Sequence, residues 1–550
     1  TSPDYDCEQI NLSGLDNHLQ TEFDHDASHQ KQQWIIRDRA YEAIGLIEGD
    51  GPNLARSGSL SELYQSGFDD EDEQEAFINL IKGNVDRVVS QLELSQVGIE
   101  AYATKEQDME AVATMNDRKD NILEDNNFPE IKSKFIYDGV EFGSGYFKCD
   151  YGNWKDNPDL AMFISKLEEG KPLSPEEYKF FQQSIEGHNL EYVNTFEMVH
   201  YRGARGKEDS TIHSPGHRWI HRTQQMSVAE ARREYPEYAH LISPNIQDRV
   251  MELNPQAYFN DTLEDTVTVT TTWIKFPVRQ SVPVSVLSQV GDTQMMEQTE
   301  QEVPRYAIGR VVRVAGIGVV DLDIDVNHHN RFPFVNWTYC DSFRHSKGIG
   351  IVKFGRDPIV VHNQLHNGAL KYFGTMQKGS GFVDERLGLT KEDMDELSEP
   401  GTFIPVQVPD DASPDSTLDQ YIVRNQLPSL PNIYSDLMRI ENEAMDAAMN
   451  VPNVYRGEKS GTSGLQEQVL QSQADMTHNV AVTTYKNAMW YFGILMFSNM
   501  QQYDRDDDIE FTVTDRGTGQ TRQRVMNKTA GYYPQRDPQT GQAQMQPIKE

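Results

Sequence analysis

FPFVNWTYCDSFRHSKGIGIVKFGRDPIVVHNQLHNGALKYFG, residues 332–374, decides the reading of the fold because two kinds of secondary structure meet in it. FPFVNWTYC, residues 332–340, is aromatic and β-branched and predicts a strand. From Gly348 onward the spacing predicts a helix, 348–376. Pro358 falls in its early turns, where proline either marks the start of a helix or kinks it.

Upstream the chain is rich in strand signals. VTVTTTWIKFPV (267–278) alternates β-branched residues, and RYAIGRVVRVAGIGVVDLDIDV (305–326) predicts two strands joined at Gly316 and Gly318. Between them SVLSQVGDTQMMEQTEQEV (285–303) reads as a weakly amphipathic helix. Asp321, Asp323 and Asp325 alternate with Leu322, Ile324 and Val326, so a period of two puts the carboxylates on one face. A divalent cation suits such a row, and a strand with one solvated face explains it equally well.

Earlier still, RWIHRTQQ predicts a strand, and Ser227 an N-cap for the helix that follows. Residues 109–141 read as helical, and Gly143 and Gly145 separate them from the strand YFKCDYG. In AFINLIKGNVDRVVSQLEL, Phe77, Ile81, Val85, Val88 and Val89 are spaced for one buried helix face. QQWIIRDRAYEAIGLIEG reads as helix, the acidic run at 69–75 as a solvated stretch, and residues 1–30 as a flexible arm. Downstream, 377–428 is loop-rich, helices are predicted at 432–450 and from about Ser463 to Tyr503, and IEFTVT is a strand before a polar tail.

The chain has 550 residues with 86 acidic and 50 basic side chains, a net charge of −36. That length suggests roughly two to four domains. The charge repels nucleic acid and anionic membranes at long range, so any DNA role is non-adhesive or uses a few local cations. Cys7, Cys149 and Cys340 are too sparse for a disulfide framework or a zinc cluster. The opening TSPDYDCEQINLSG is polar and unlike a signal peptide, and AMWYFGILMF (488–497) is too short to span a bilayer.

Signatures of chemistry do not assemble. GARGKED and GEKSGTSG lack phosphate-loop spacing, and the glycine pairs do not form a dinucleotide fingerprint. His362 and His366 lie four apart but have no zincin glutamate, so they read as a polar helix face. The sequence therefore predicts a non-enzyme, with no cofactor and no metal.

The order of elements resembles the portal proteins of short-tailed double-stranded-DNA phages from about residue 75 to about 515. NLIKGNVDRVVSQLEL, IEAYATKEQD, VEFGSGYFKCDYG and RWIHRTQQMSVAEARREYP are similar to that family's N-terminal block. FPFVNWTY followed by GIGIVKFGRDPIVVHNQL looks like its passage into a stem helix, with Lys353, Arg356, Asp357 and Asn363 filling the motif and Pro358 departing from it. SGLQEQVLQSQADM resembles the glycine- and serine-led helix of the wing.

The resemblance implies an α+β, helix-rich portal fold with wing, stem helices and β-rich clip, assembled as a ring of about twelve copies. It implies an arm (1–30), a wing (31–284), a first stem helix (285–303), a clip (304–347) and a second stem helix (348–376). A tunnel loop and connecting segment (377–431), wing or crown helices (432–508) and a strand with a polar tail (509–550) complete it. The implied partners are the major capsid protein, the terminase large subunit, head-tail adaptors and passing double-stranded DNA, with no membrane. The implied location is the virion vertex, reached through the host cytoplasm. Lys371 and Lys378 are the candidate channel cations, and Arg305, Arg310, Arg313, Asp321, Asp323 and Asp325 the candidate docking residues of the clip. The competing expectation is an acidic DNA mimic or scaffolding protein that acts without a ring.

Overall fold

The computed structural model describes residues 12–34, 78–94, 97–104, 109–152, 161–168, 171, 174, 176–177, 187–245, 265–290, 293–323, 329–343, 346–378, 380–383, 390, 422–425, 433–449, 479–504, 509–514, 521–526, 529–536 and 543–549. The chain divides into two compact units. The first comprises Thr1–Ala43, Val85–Ile351 and Gln468–Glu550, and the second Ile44–Asn84 and Val352–Glu467.

The helices are α1 (Leu12–Trp34), α2 (Ile81–Leu94), α3 (Met109–Asp125), α4 (Phe128–Phe142), α5 (Ala161–Glu168), α6 (Val228–Glu234), α7 (Val352–Lys378), α8 (Ile433–Ala448) and α9 (Asn479–Tyr503). In the first unit, β1 (Ser144–Tyr151) is the central strand between β2 (His188–Val193) and β8 (Phe334–Thr338), antiparallel to both. Aromatic rings join this sheet to α4 and α9. Phe135 meets Phe147 edge-on at 5.0 Å, Phe147 meets Phe492 at 4.9 Å, and Trp337 donates its indole N–H to Ala481 O at 3.2 Å and Thr484 Oγ1 at 3.0 Å. The buried indole thus keeps a partner for its one polar atom.

The glycines flanking this sheet have a steric cause. Gly143 ends α4 at φ 98°, and a Cβ there would lie 2.5 Å from the carbonyl carbon of Gly348. The strand after α4 and the segment leading out of β8 cross at their backbones, which only glycine permits on both sides.

A second sheet runs β3-β4-β5-β6-β7, all antiparallel, from β3 (Met198–His200), β4 (Trp219–Ser227), β5 (Thr266–Val290), β6 (Thr293–Val314) and β7 (Gly318–Asp323). Ser227 caps α6 as the sequence predicts, accepting from Glu230 N at 3.1 Å. Beyond Ile274 and Gly309, β5 and β6 continue as a two-stranded ribbon to the Val290–Thr293 pair. At roughly 3.3 Å per residue the stretch from 275 to 290 reaches about 50 Å.

This ribbon corrects the helix expected at 285–303, and the wing boundary expected at 284 falls inside β5. Gly291-Asp292, between paired Val290 and Thr293, is a two-residue hairpin signal, and Val282, Val284 and Val286 recur at period two. Two-fold spacing with β-branched residues fits a strand better than the weak helical pattern does. Pro277, Pro283 and Pro304 are tolerated because a two-stranded ribbon has an edge on each side.

Of the arm expected at 1–30, residues 1–11 lie outside the described residues, and the rest is corrected in the same way, for α1 starts at Leu12 and buries Leu19, Phe23 and Ala27. Those residues recur every four positions and make a narrow stripe on an otherwise polar helix. The polar tail also carries more structure than the single expected strand. β11 (Ile509–Thr514) pairs with β12 (Thr521–Met526), and β13 (Thr529–Arg536) with β14 (Ala543–Lys549). Residues 35–49 of the helix expected at 32–49, the run at 69–75, Phe77 and the first part of the long helix, 463–478, lie outside the described residues.

The second unit contains α7 and α8 with a short antiparallel pair between them in sequence, β9 (Ser380–Val383) and β10 (Ile422–Asn425). A Cβ on Gly355, near the start of α7, would lie 2.6 Å from Met449 Sδ, just past the end of α8. His362, a further two turns along, is linked to the backbone of Met438. The helices therefore run antiparallel, with Gly355 setting their closest approach.

Candidate functional site

The predicted docking residues sit on β6 and β7, and the sheet's two-residue period separates them. Val312 and Val314 face α6, packing with Val228, Ala231, Val267 and Val269. Val311 faces α1 and packs on Leu19. Arg313 therefore points toward α1, where it is buried and donates to Gln20 Oε1 at 2.8 Å. Arg310 belongs to the opposite face and pairs with Asp321 at 2.7 Å.

A bulge between Val312 and Arg313 sets the register of β7, so that Asp323 stands opposite Arg310 and Asp321 opposite Val312. Asp321 and Asp323 share a face, while Leu322 packs on the α1 side. Arg305 is placed by its backbone on the ribbon, opposite Val278, and Asp325 lies outside the described residues. The structure thus joins Arg310 to Asp321 within one chain and separates both from Arg313. Arg310, Asp321 and Asp323 share one face of the sheet, and Arg313 lies on the other.

The candidate channel cations lie on α7. Lys371 is exposed, and Lys378 is the last residue of the helix. Of the motif that led to this helix, Asn363 has the clearest structural task. It is buried, accepts from Ile78 N at 2.7 Å, and donates to Ile78 O at 3.3 Å and Ile359 O at 2.9 Å. One side-chain amide thereby ties the segment before α2 to α7. Asn84 completes the attachment, donating to Asp446 Oδ1 at 3.3 Å. Pro358 lies within α7, which continues through it.

Sequence reasoning missed a charged anchor under α1. Asp26 is fully buried and accepts from Trp219 Nε1 at 2.7 Å and from the backbone N–H and guanidinium of Arg202, both at 3.1 Å. Arg202 is shared with Glu22 at 2.6 Å, and His221 Nε2 lies 3.4 Å from the Asp26 carboxylate. Its partners lie more than 170 residues away in sequence, so no local pattern could reveal them.

Nearby, Asp138 accepts from Tyr192 Oη at 2.8 Å and Thr195 N at 3.2 Å, while Lys347 donates to Thr195 O at 2.9 Å. Burial pushes the Asp138 carboxyl up to about 7 and the Lys347 ammonium down to about 7. Perturbed groups of this kind mark catalytic sites when they line a cleft. These instead hydrogen-bond to the Tyr192 hydroxyl and to the Thr195 backbone between β2 and β3, and hold the fold.

Among the described residues no group of three or more His, Cys, Asp or Glu side chains is arranged to hold a metal. His362 is buried and its basicity lowered, first by burial and then by the neighbouring His366. No helix of the described residues is long and apolar enough to cross a membrane.

Comparison with known proteins adds two findings. The family model described as phage P22-like portal protein matches residues 216–547. No curated protein matches the chain.

Proposed function

The chain belongs to the phage P22-like portal protein family, and from that premise we propose that it forms a ring of about twelve copies at one capsid vertex. The family match over residues 216–547 is the observation that carries this reading. Portal proteins are structural components of the virion, associated with genome packaging, and the family is oligomeric. The finer statements are ours: terminase loads DNA through the ring during packaging, and head-tail adaptors and tail proteins dock on it before ejection. The ring would sit among major capsid subunits after assembly in the host cytoplasm.

The helix pair of the second unit suits the stem. A stem needs two helices that run out and back with a small domain between them. The connection α7, β9, β10, α8 has that order, and α7 and α8 run antiparallel. We therefore take α7 and α8 as the stem pair, with 380–425 as the clip between them, in place of the 285–303 and 304–347 assignments. A helix as long as α7 reaches about 40 Å, enough to cross a capsid shell. Lys371 and Lys378 remain the cations proposed to touch passing DNA.

The charge has a role in this reading. Twelve copies of a chain at −36 carry roughly −430, so the passage is mostly negative and phosphates slide rather than stick. Screening over about 8 Å in physiological salt keeps that repulsion from blocking entry. Sedimentation velocity tests the assembly. A species of ~750 kDa, for twelve chains of 62.8 kDa, is expected. A chain that stays monomeric or dimeric under all assembly conditions contradicts the ring and favours an acidic DNA mimic or scaffold.

A further inference from the structure

The well-placed cations of the first unit mostly have carboxylate partners. Arg222 is held by Glu191 and Glu197, Arg202 by Glu22 and Asp26, and Arg118 by Asp504. One group departs from this pattern. On α9, the ring of Tyr491 stacks on His213 at 4.6 Å with the planes 28° apart, and the Arg331 guanidinium lies 5.3 Å from its centroid. Trp490 meets Tyr491 edge-on at 5.0 Å and is 60% exposed.

Lys275 belongs to the same neighbourhood. Its ammonium lies 5.0 Å over the ring of Phe332, next to Arg331 in sequence, and donates to Ser214 O at 3.0 Å, next to His213. The carboxylate whose charge reaches Lys275 is Asp209, but Asp209 already accepts from Ser214 Oγ and Arg205 N. Among the described residues neither Arg331 nor Lys275 forms an ion pair, and the Arg331 guanidinium donates no hydrogen bond.

Two cations that share no ion pair among the described residues repel one another, and the charge of Arg331 lowers the basicity of Lys275. Their mutual field is felt locally. The basicity of His213 is pushed down to about 3, first by burial and then by Arg331 and Lys275. An external anion relieves the repulsion. Exposed Trp beside Tyr and Arg is also the residue set that dominates protein–protein interfaces.

The source of the anion follows from charge. The face is locally cationic, and a second copy of the same chain offers carboxylates in excess, with 86 acidic against 50 basic side chains. We propose that the face formed by Trp490, Arg331 and Lys275 docks a carboxylate-bearing surface of a second copy of this chain. The docking is heterologous, basic face to acidic face, which is the contact type that closes a ring. It rests on the oligomeric portal reading and adds to it a residue-level contact.

Mass photometry of the full chain tests it, with Trp490→Ala, Arg331→Glu and Arg331→Lys beside the parent and thermal melts to confirm folding. The parent assembles, Arg331→Lys retains assembly, and Trp490→Ala and Arg331→Glu raise the assembly midpoint by roughly tenfold or more. A benzophenone side chain at position 490 yields covalent dimers whose second peptide is rich in Asp and Glu. If Trp490→Ala and Arg331→Glu fold and assemble as the parent does, the docking face is overturned while the portal reading stands. If they assemble normally but lose retention of double-stranded DNA, the occupant is nucleic acid and the proposal is likewise overturned. A parent that never exceeds 62.8 kDa removes the portal reading and this contact with it.

Discussion

The two faces of the five-stranded sheet are covered by helices of opposite character. On the α6 face, Val228, Ala231 and Ile242 meet Val267, Val269, Val312 and Val314 in a continuous aliphatic layer. On the α1 face, buried Thr268, Thr270, Thr272 and Arg313 sit under a polar helix whose apolar stripe is narrow. Asp26 supplies there what aliphatic area supplies on the other side, gathering Arg202 and Trp219 into one hydrogen-bonded knot. Nonpolar burial tolerates small losses gradually, whereas a buried carboxylate with fixed partners fails abruptly when one member is removed.

The sharpest way to break this contrast is Asp26→Ala. Losing the buried acceptor strands Trp219 Nε1 and removes one of the two carboxylates on Arg202, a cost of about 4 kcal/mol. Hydrogen exchange should show the loss concentrated in residues 19–27, with the α6 face protected. Uniform deprotection of both faces would show that the sheet and its two helices open as one unit.

Ile242→Ala probes the aliphatic face. Ile242 is 1% exposed, and its truncation should cost about 3 kcal/mol in urea unfolding, without selective release of α1.

Acid gives a loss of similar size through His217, which is fully buried with Nε2 3.0 Å from Asp209 O. Burial pushes it down to about 4 from the usual 6.5. Between those values the unfolded chain binds a proton that the folded chain excludes. Stability is therefore complete above pH 6.5 and falls as pH drops toward 4, by up to about 3 kcal/mol. A urea-midpoint series from pH 8 to 4 on the parent and His217→Gln should show a flatter curve for the variant. Equal slopes would assign the acid loss to other groups.

Smaller effects belong to the exposed polar contacts. Ser227→Ala removes the cap of α6 and should cost about 1 kcal/mol by thermal melt. The Arg310–Asp321 pair, a third exposed on both sides, should couple by less than about 1 kcal/mol in a double-mutant cycle, and less still at high salt.

The same contrast explains what could be read from the sequence. The strands expected at 218–225, 267–278 and 332–340, the cap at Ser227 and the helix expected from Gly348 were legible because each follows from its own neighbours. Asp26 was not, since its partners come from β4 and the turn after β3. The ribbon was misread because 285–303 lacks a strong apolar face of either period, and Gly291-Asp292 was the decisive local signal. Among the site residues, a period of two correctly put Asp321 and Asp323 on one face. That same period is why Arg310 and Arg313, three apart, diverge. The Tyr491 cluster draws on four separated segments, and no single stretch announces it.

Electron microscopy of the purified, assembled chain bears most directly on the proposal that copies of the chain close around a passage. Class averages should show rings with a central hole and about twelve-fold symmetry, and a side view with a narrow waist where α7 and α8 are proposed to lie. Solid particles without a hole, or single globules at every concentration, would contradict it.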